Sequence, residues 1–189
     1  MITIADAVAH ADQVKGYMFV RELQWLAQTA SALTPPAAWC EIGSWQGRSA
    51  TAVAAALPPG SRLQLVDNFT GPTTREKPTK ALVRSQLEVS MAAMRTLSPT
   101  LDVRLAVGYS ADIARSFQDG TFDVVFIDGD HAYQAVVADI VNWMPTLKPN
   151  GLLCGHDFTN KCGVDPAVRE LCPGFSQVPE TSLWYWRRP

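Results

Sequence analysis

Apolar positions recur along this chain in two periods. Tyr17–Ala30 sets Phe19, Leu23, Leu26, Ala27 and Ala30, with Trp25 beside them, at helical spacing, so the pattern predicts an amphipathic helix. Pro35-Pro36 ends it. A short apolar run, Ala37–Cys40, follows and stops at a carboxylate, Glu41. Two glycines come next, Gly43 and Gly47, and then an alanine-rich run, Ser49–Leu57, closed by Pro58-Pro59-Gly60. An apolar run, a glycine turn and a helix former in that order predict a strand–loop–helix unit, with the backbone turning tightly enough for a ligand to approach it.

The same two periods alternate through the rest of the chain. Strands are predicted at Arg62–Asp67, Asp102–Val107, Phe122–Asp128 and Gly151–His156, and a closing pair at Phe175–Val178 and Leu183–Arg187. Helices are predicted at Lys80–Leu97, Ala111–Phe117 (with Ser110 as its cap), Tyr133–Leu147 and Val164–Leu171. Asn68–Thr79 is polar and rich in turn residues and reads as a loop beyond a strand end. Phe122–Asp128 is nearly continuous in apolar residues, as a strand buried on both faces requires. Strands alternating with helices predict an α/β fold, a mostly parallel sheet with helices on both faces, whose ligands gather at the carboxyl ends of the strands. Glu41, Asp67, Gly108, Asp128 and His156 all fall at such ends. With no repeat or linker in view, the expectation is a single domain over residues 1–189, a helical segment 1–36 ahead of a core 37–189.

Composition narrows this picture only a little. The 189 residues are 47% hydrophobic and 18% charged, as in an ordinary globular domain. A net charge of −2 gives no sign of a basic face for nucleic acid, so no nucleic-acid partner is expected. No apolar run approaches the about 20 residues of a membrane span. The first thirteen residues, with Asp6, His10 and Asp12, lack a basic-then-apolar leader pattern, so the expected location is the cytoplasm. Cys40 and Cys154 lie in apolar runs and read as buried strand residues, and Cys162 and Cys172 flank a helix without metal-ligand spacing.

The glycines decide what kind of ligand is expected. Gly43-Ser44-Trp45-Gln46-Gly47 is not the G-x-G-x-x-G dinucleotide fingerprint, and no GxxxxGK[ST] occurs. What stands instead is an acidic residue two before a glycine, a second glycine, and Asp67 at the end of the next strand. A carboxylate there suits the two hydroxyls of a ribose.

At this point the sequence resembles the class I S-adenosylmethionine-dependent methyltransferases. Glu41-x-Gly43-x-x-x-Gly47-x-Ser49 resembles their first motif, Asp67 their ribose-binding acid, and Gly108-Tyr109-Ser110 the stretch that contacts adenine. The segments Phe126–Tyr133, Leu147–Gly151 and Gly155-His156-Asp157 resemble the small bacterial O-methyltransferases that act on sugars and macrolide sugars. The Ser44-Trp45-Gln46 spacer departs from the commoner G-x-G-x-G and is similar to that same group. The resemblance runs from Trp39 to Phe158. It implies a Rossmann-like doubly wound sheet with an antiparallel C-terminal strand. It also implies a cofactor site at Glu41, Gly43, Ser44, Trp45, Gly47, Ser49, Asp67, Asn68, Gly108, Tyr109, Ser110 and Asp128.

A hydroxyl acceptor must be aligned with the methyl and must lose a proton. Asp128, Asp130, His131 and Asp157 follow strands four and five, where adjacent parallel strands bring them together. That oxygen-rich set suits Mg²⁺ or Mn²⁺. The resemblance implies a metal at Asp128, His156 and Asp157, with His156 standing where relatives have an acid, and a base at Asp130; His131 is equally suited to be the base. Trp45 suits the cofactor, the acceptor pocket or plain packing, and Trp184-Tyr185-Trp186 suits strand packing or a subunit contact in a homo-oligomer. The expected activity is methyl transfer to a hydroxyl of a small molecule or sugar. A nicotinamide-dependent oxidoreductase and a non-catalytic nucleotide-binding protein are the alternatives on the same fold.

Overall fold

The computed structural model describes residues 2–70 and 79–189; most of the loop expected at Asn68–Thr79 therefore lies outside the described residues. Two helices come first, α1 (Ile4–Asp12) and α2 (Val20–Ser31). There follow β1 (Ala38–Ile42), α3 (Arg48–Ala56), β2 (Arg62–Asp67), α4 (Lys80–Leu97), β3 (Asp102–Val107), α5 (Ser110–Ala114), β4 (Phe122–Ile127) and α6 (Tyr133–Trp143). After a 3₁₀ turn at Met144–Thr146 come β5 (Leu147–Gly155), α7 (Val164–Leu171), β6 (Ser176–Gln177) and β7 (Trp184–Arg187). The sheet order is β3-β2-β1-β4-β5-β7-β6. The first five strands pair in parallel, β7 runs antiparallel to β5, and β6 antiparallel to β7. This is the doubly wound sheet expected from the sequence. Its order reverses between β1 and β4, which opens a crevice at their carboxyl ends.

Successive strand residues point to opposite faces. Trp39, Leu63, Leu65, Val124, Phe126 and Cys154 pack under α1–α4, whereas Cys40, Ile42, Val66, Val125, Ile127 and Leu153 pack under α5–α7. Two cores therefore clamp the sheet, and the central strands are apolar on both sides. Glu41 keeps step with Trp39 and points toward α3. Among the described residues no helix is long and apolar enough to cross a membrane.

Several boundaries differ from expectation for local reasons. The first strand continues through Glu41 to Ile42 because Glu41 is buried (0% exposed) and pairs in register with Leu65. Ser110 is the first residue of α5 rather than its cap; Tyr109 holds the cap position, and Ser110 Oγ instead accepts the indole N–H of Trp143 at 2.6 Å. The helix from Tyr133 stops at Trp143, with Pro145 in the 3₁₀ turn that follows. β5 starts at Leu147, opposite Phe122, and a bulge at Lys148–Gly151 carries the register to Leu152 opposite Val124. The helix α1 lies within the helical segment expected over 1–36, but the apolar spacing singles out only the helix at Tyr17–Ala30 there. Thr3 caps α1, with Asp6 N–H donating to Thr3 Oγ1 at 3.1 Å and the Thr3 hydroxyl donating to Asp6 Oδ2 at 2.6 Å.

Candidate active site

The loop after β1 is folded by its neighbours. Gly43 (φ +85°) donates its N–H to Val66 O at 2.9 Å, and a Cβ on it would lie 2.1 Å from the carbonyl oxygen of Asp128. Only glycine fits that close approach of the β1 and β4 ends. Ser44–Gly47 then turns, with Gly47 N–H donating to Ser44 O at 2.7 Å, and Gly47 (φ +88°) caps α3 without a side chain. The first N–H groups of α3 follow directly on this turn and have no side-chain cap. Asp67 holds the turn to the end of β2: its carboxylate accepts the N–H groups of Trp45 (2.7 Å) and Phe69 (2.6 Å). Burial pushes the Asp67 carboxyl up, and those N–H groups pull it back down. Each oxygen keeps a lone pair for a further donor.

Beneath this loop lie polar atoms with nothing to bind. Glu41 Oε1 accepts Ser49 Oγ–H at 3.0 Å, while Glu41 Oε2 and Ser44 Oγ are buried near each other without a formed hydrogen bond. Burial raises the Glu41 carboxyl to about 8. Orphaned buried polar groups are costly and point to a missing partner. Together with the glycine cradle and the open α3 terminus, they fit a cofactor that carries polar donors. Trp45 (φ 42°) stacks on Tyr17 at 5.2 Å. Of the remaining expected cofactor residues, Asn68 Oδ1 accepts Thr70 N–H at 2.9 Å beside Asp67, and Tyr109 is 67% exposed at the rim.

The second half of the site follows β4 and β5. Asp128, His131 and Asp157 each present one ligand atom within 4.8 Å of the others. His131 Nε2 stands 3.2 Å from Asp157 Oδ2 and 3.9 Å from Asp128 Oδ1. Two carboxylates and one imidazole fit a divalent cation, Mn²⁺ or Fe²⁺ better than Mg²⁺. Asp130 is not in this cluster; it is exposed, and its Oδ1 accepts Ala132 N–H at 2.9 Å. His156 is placed between the cluster and the body of the protein. Its Nδ1 lies 3.0 Å from Asp157 Oδ2 and 3.6 Å from Asp128 Oδ1, while its Nε2 faces Glu22 Oε2 at 3.0 Å and Ser182 Oγ at 2.9 Å. Burial opposes a charge on His156, but the carboxylates of Asp128, Asp157 and Glu22 outweigh it and hold the imidazolium, raising its pKa to about 12. Burial likewise lifts Asp128, against the pull of His156.

Two buried carboxylates on helices were missed in the sequence. Glu22 and Asp139 sit in the apolar stripes of α2 and α6, 1% and 6% exposed. The signal was there, an acid at a core-facing helical position, but two partners of Glu22, His156 and Ser182, lie far along the chain. Cys40 and Cys154 are buried in β1 and β5 as expected. Tyr133 donates to Glu170, and Tyr185 of the aromatic run packs on Trp25 at 5.8 Å. A cleft of about 610 Å³ opens beside Glu22 and Ser182, lined also by Phe19, Phe158, Thr159 and Gln177.

A family model described as a methyltransferase domain matches residues 40–158, which is more than half of the chain. The protein belongs to the S-adenosylmethionine-dependent methyltransferases. This sets aside the oxidoreductase alternative. No curated protein matches the sequence. Among solved structures, the chain is similar to the O-methyltransferase TomG of Streptomyces achromogenes, involved in tomaymycin synthesis, with 15% identity, 98% of this chain and 89% of that one covered, and a TM-score of 0.65. An O-methyltransferase of Bacillus cereus gives 14%, 98%, 89% and 0.63 in the same order. CalS11, a TDP-rhamnose 3′-O-methyltransferase of calicheamicin biosynthesis, gives 16%, 98%, 81% and 0.62. At these identities the likeness is one of fold.

Proposed function

We propose that this protein methylates a hydroxyl of a small molecule or sugar. The observation that carries the reading is the juxtaposition in one crevice of a glycine cradle with unpartnered buried polar atoms and an Asp128–His131–Asp157 cluster. S-adenosylmethionine, when bound, supplies the electrophilic methyl group. Asp67 accepts the ribose hydroxyls, Gly108-Tyr109-Ser110 borders the adenine, and Glu41 and Ser44 take the polar donors that reach beneath the loop. His131, with Nε2 against Asp157, takes the acceptor's proton, and Asp157 steadies the charge that results. Asp130, exposed on the same loop, is the alternative base. In a metal-loaded form a divalent cation would be held by Asp128, His131 and Asp157 and would lower the acceptor's pKa; His131 is then a ligand, and Asp130 is the base. The acceptor enters through the cleft beside Glu22, whose hydroxyl-bearing wall (Thr159, Thr181, Ser182) suits a hydroxylated compound.

The test is transfer of labelled methyl from S-adenosylmethionine to a panel of free sugars, nucleotide-linked sugars and catechols, with and without Mn²⁺. Product from a hydroxylated acceptor, abolished in Asp128→Asn, is expected. Transfer only to amine or thiol acceptors would overturn the reading.

A further inference from the structure

Glu22 is a charged residue where the packing of α2 asks for an apolar one. It is 1% exposed and lies on the stripe of Leu23, Leu26, Ala27 and Ala30. A hydrophobe of similar volume would pack the helix at no desolvation cost. Instead, both carboxylate oxygens are fully engaged. Oε1 accepts Ser182 N–H at 3.0 Å and Ser182 Oγ–H at 2.9 Å; Oε2 accepts Phe19 N–H at 2.9 Å and faces His156 Nε2 at 3.0 Å. Four donors match the four acceptor sites of a carboxylate.

A staple between α2 and the turn before β7 needs only the Ser182 bonds. The contact with His156 leads elsewhere. The imidazole ring passes the link to Asp157 (3.0 Å) and toward Asp128 (3.6 Å), and Asp157 passes it to His131 (3.2 Å). The chain of contacts thus runs from a buried helix residue to a side chain that is 44% exposed in the crevice. Asp157 itself stands at φ 57°, a backbone conformation that a non-glycine residue keeps only when its surroundings enforce it.

We propose that Glu22 is a positioning residue of the methyl-transfer centre: through His156 it fixes the orientation in which Asp128 and Asp157 face His131 and the acceptor. The N-terminal helical segment is then part of the active centre. The inference rests on the methyl-transfer reading above.

The test uses the intact protein and Glu22→Gln, which keeps the shape and removes the charge. The chain has three histidines, His10, His131 and His156, so ring-nitrogen NMR signals can be assigned by single replacement. Glu22→Gln is expected to move the signals of both His156 and His131, to leave those of His10 in place, and to keep affinity for S-adenosylhomocysteine within about threefold. If His156 moves and His131 does not, Glu22 is a staple and the proposal falls. Ser182→Ala removes only the hydroxyl, which bonds Glu22 Oε1 and contacts His156 Nε2, and keeps the backbone N–H bond to Glu22; it is expected to move the His131 signals less than Glu22→Gln does, and an equal or larger shift of His131 would also overturn the proposal. Should the unmodified protein not bind S-adenosylhomocysteine, the methyl-transfer reading fails, and the histidine signals still report whether Glu22 orders the cluster.

Discussion

At the scale of single residues the site is set by a few positions that tolerate no substitute. Gly43 combines φ +85° with a would-be Cβ contact of 2.1 Å to Asp128 O. Gly43→Ala is therefore expected to lower stability by about 2 kcal/mol or more, from backbone strain and the forced separation of β1 and β4, and to abolish binding of S-adenosylhomocysteine. Urea unfolding and calorimetry would read the two effects. Asp67→Ala leaves the N–H groups of Trp45 and Phe69 without their acceptor and removes the expected ribose ligand. A loss of about tenfold or more in affinity for S-adenosylhomocysteine is expected by calorimetry. These two positions were legible because a glycine after an apolar run and a carboxylate at a strand end are local signals. Glu22 was not legible. Its partner Ser182 lies 160 residues further on, and nothing in the spacing of α2 says that an acid in the stripe will meet a histidine.

At the scale of elements, one side chain ties the connection between α1 and α2 to α3. Arg48, the first residue of α3, donates to the carbonyls of Met18 (3.0 Å) and Val14 (2.8 Å) and to Asp12 Oδ1 (2.6 Å). It so fixes the connection between α1 and α2 against the helix that follows the glycine loop. Because the side chain is only 13% exposed, these charge-assisted bonds are little screened. Arg48→Ala is expected to lower stability by about 2 kcal/mol, read by urea unfolding. Strand and helix order was readable because apolar periodicity records burial. The element ends were less so. α6 stops early at a 3₁₀ turn that contains Pro145, β5 starts early because a bulge absorbs Lys148–Gly151, and α1, short and alanine-rich, has too narrow a stripe to stand out.

At the scale of the whole molecule, the buried acid at the centre of the sheet makes stability depend on pH. Glu41 has its carboxyl raised from 4.5 to about 8, by burial first, against the hydrogen bond from Ser49. Below pH 4.5 the folded and unfolded chains both keep this proton; between 4.5 and 8 the unfolded chain releases it while the folded one does not. Glu41 therefore favours the folded state fully below 4.5, and that contribution is lost as pH rises through the window. Melting temperature is expected to fall over this range, and Glu41→Gln to flatten the fall; an unchanged slope in the variant would assign the pH dependence elsewhere.

The same carboxyl, the glycine cradle and Asp67 lie together at the β1–β4 switch point, where the proposed function requires the cofactor to bind. Calorimetric titration of the intact protein with S-adenosylhomocysteine tests it most directly. One site of micromolar affinity, weakened about tenfold or more in Asp67→Ala, is expected. No heat of binding in the unmodified protein, or equal affinity in the variant, would contradict it.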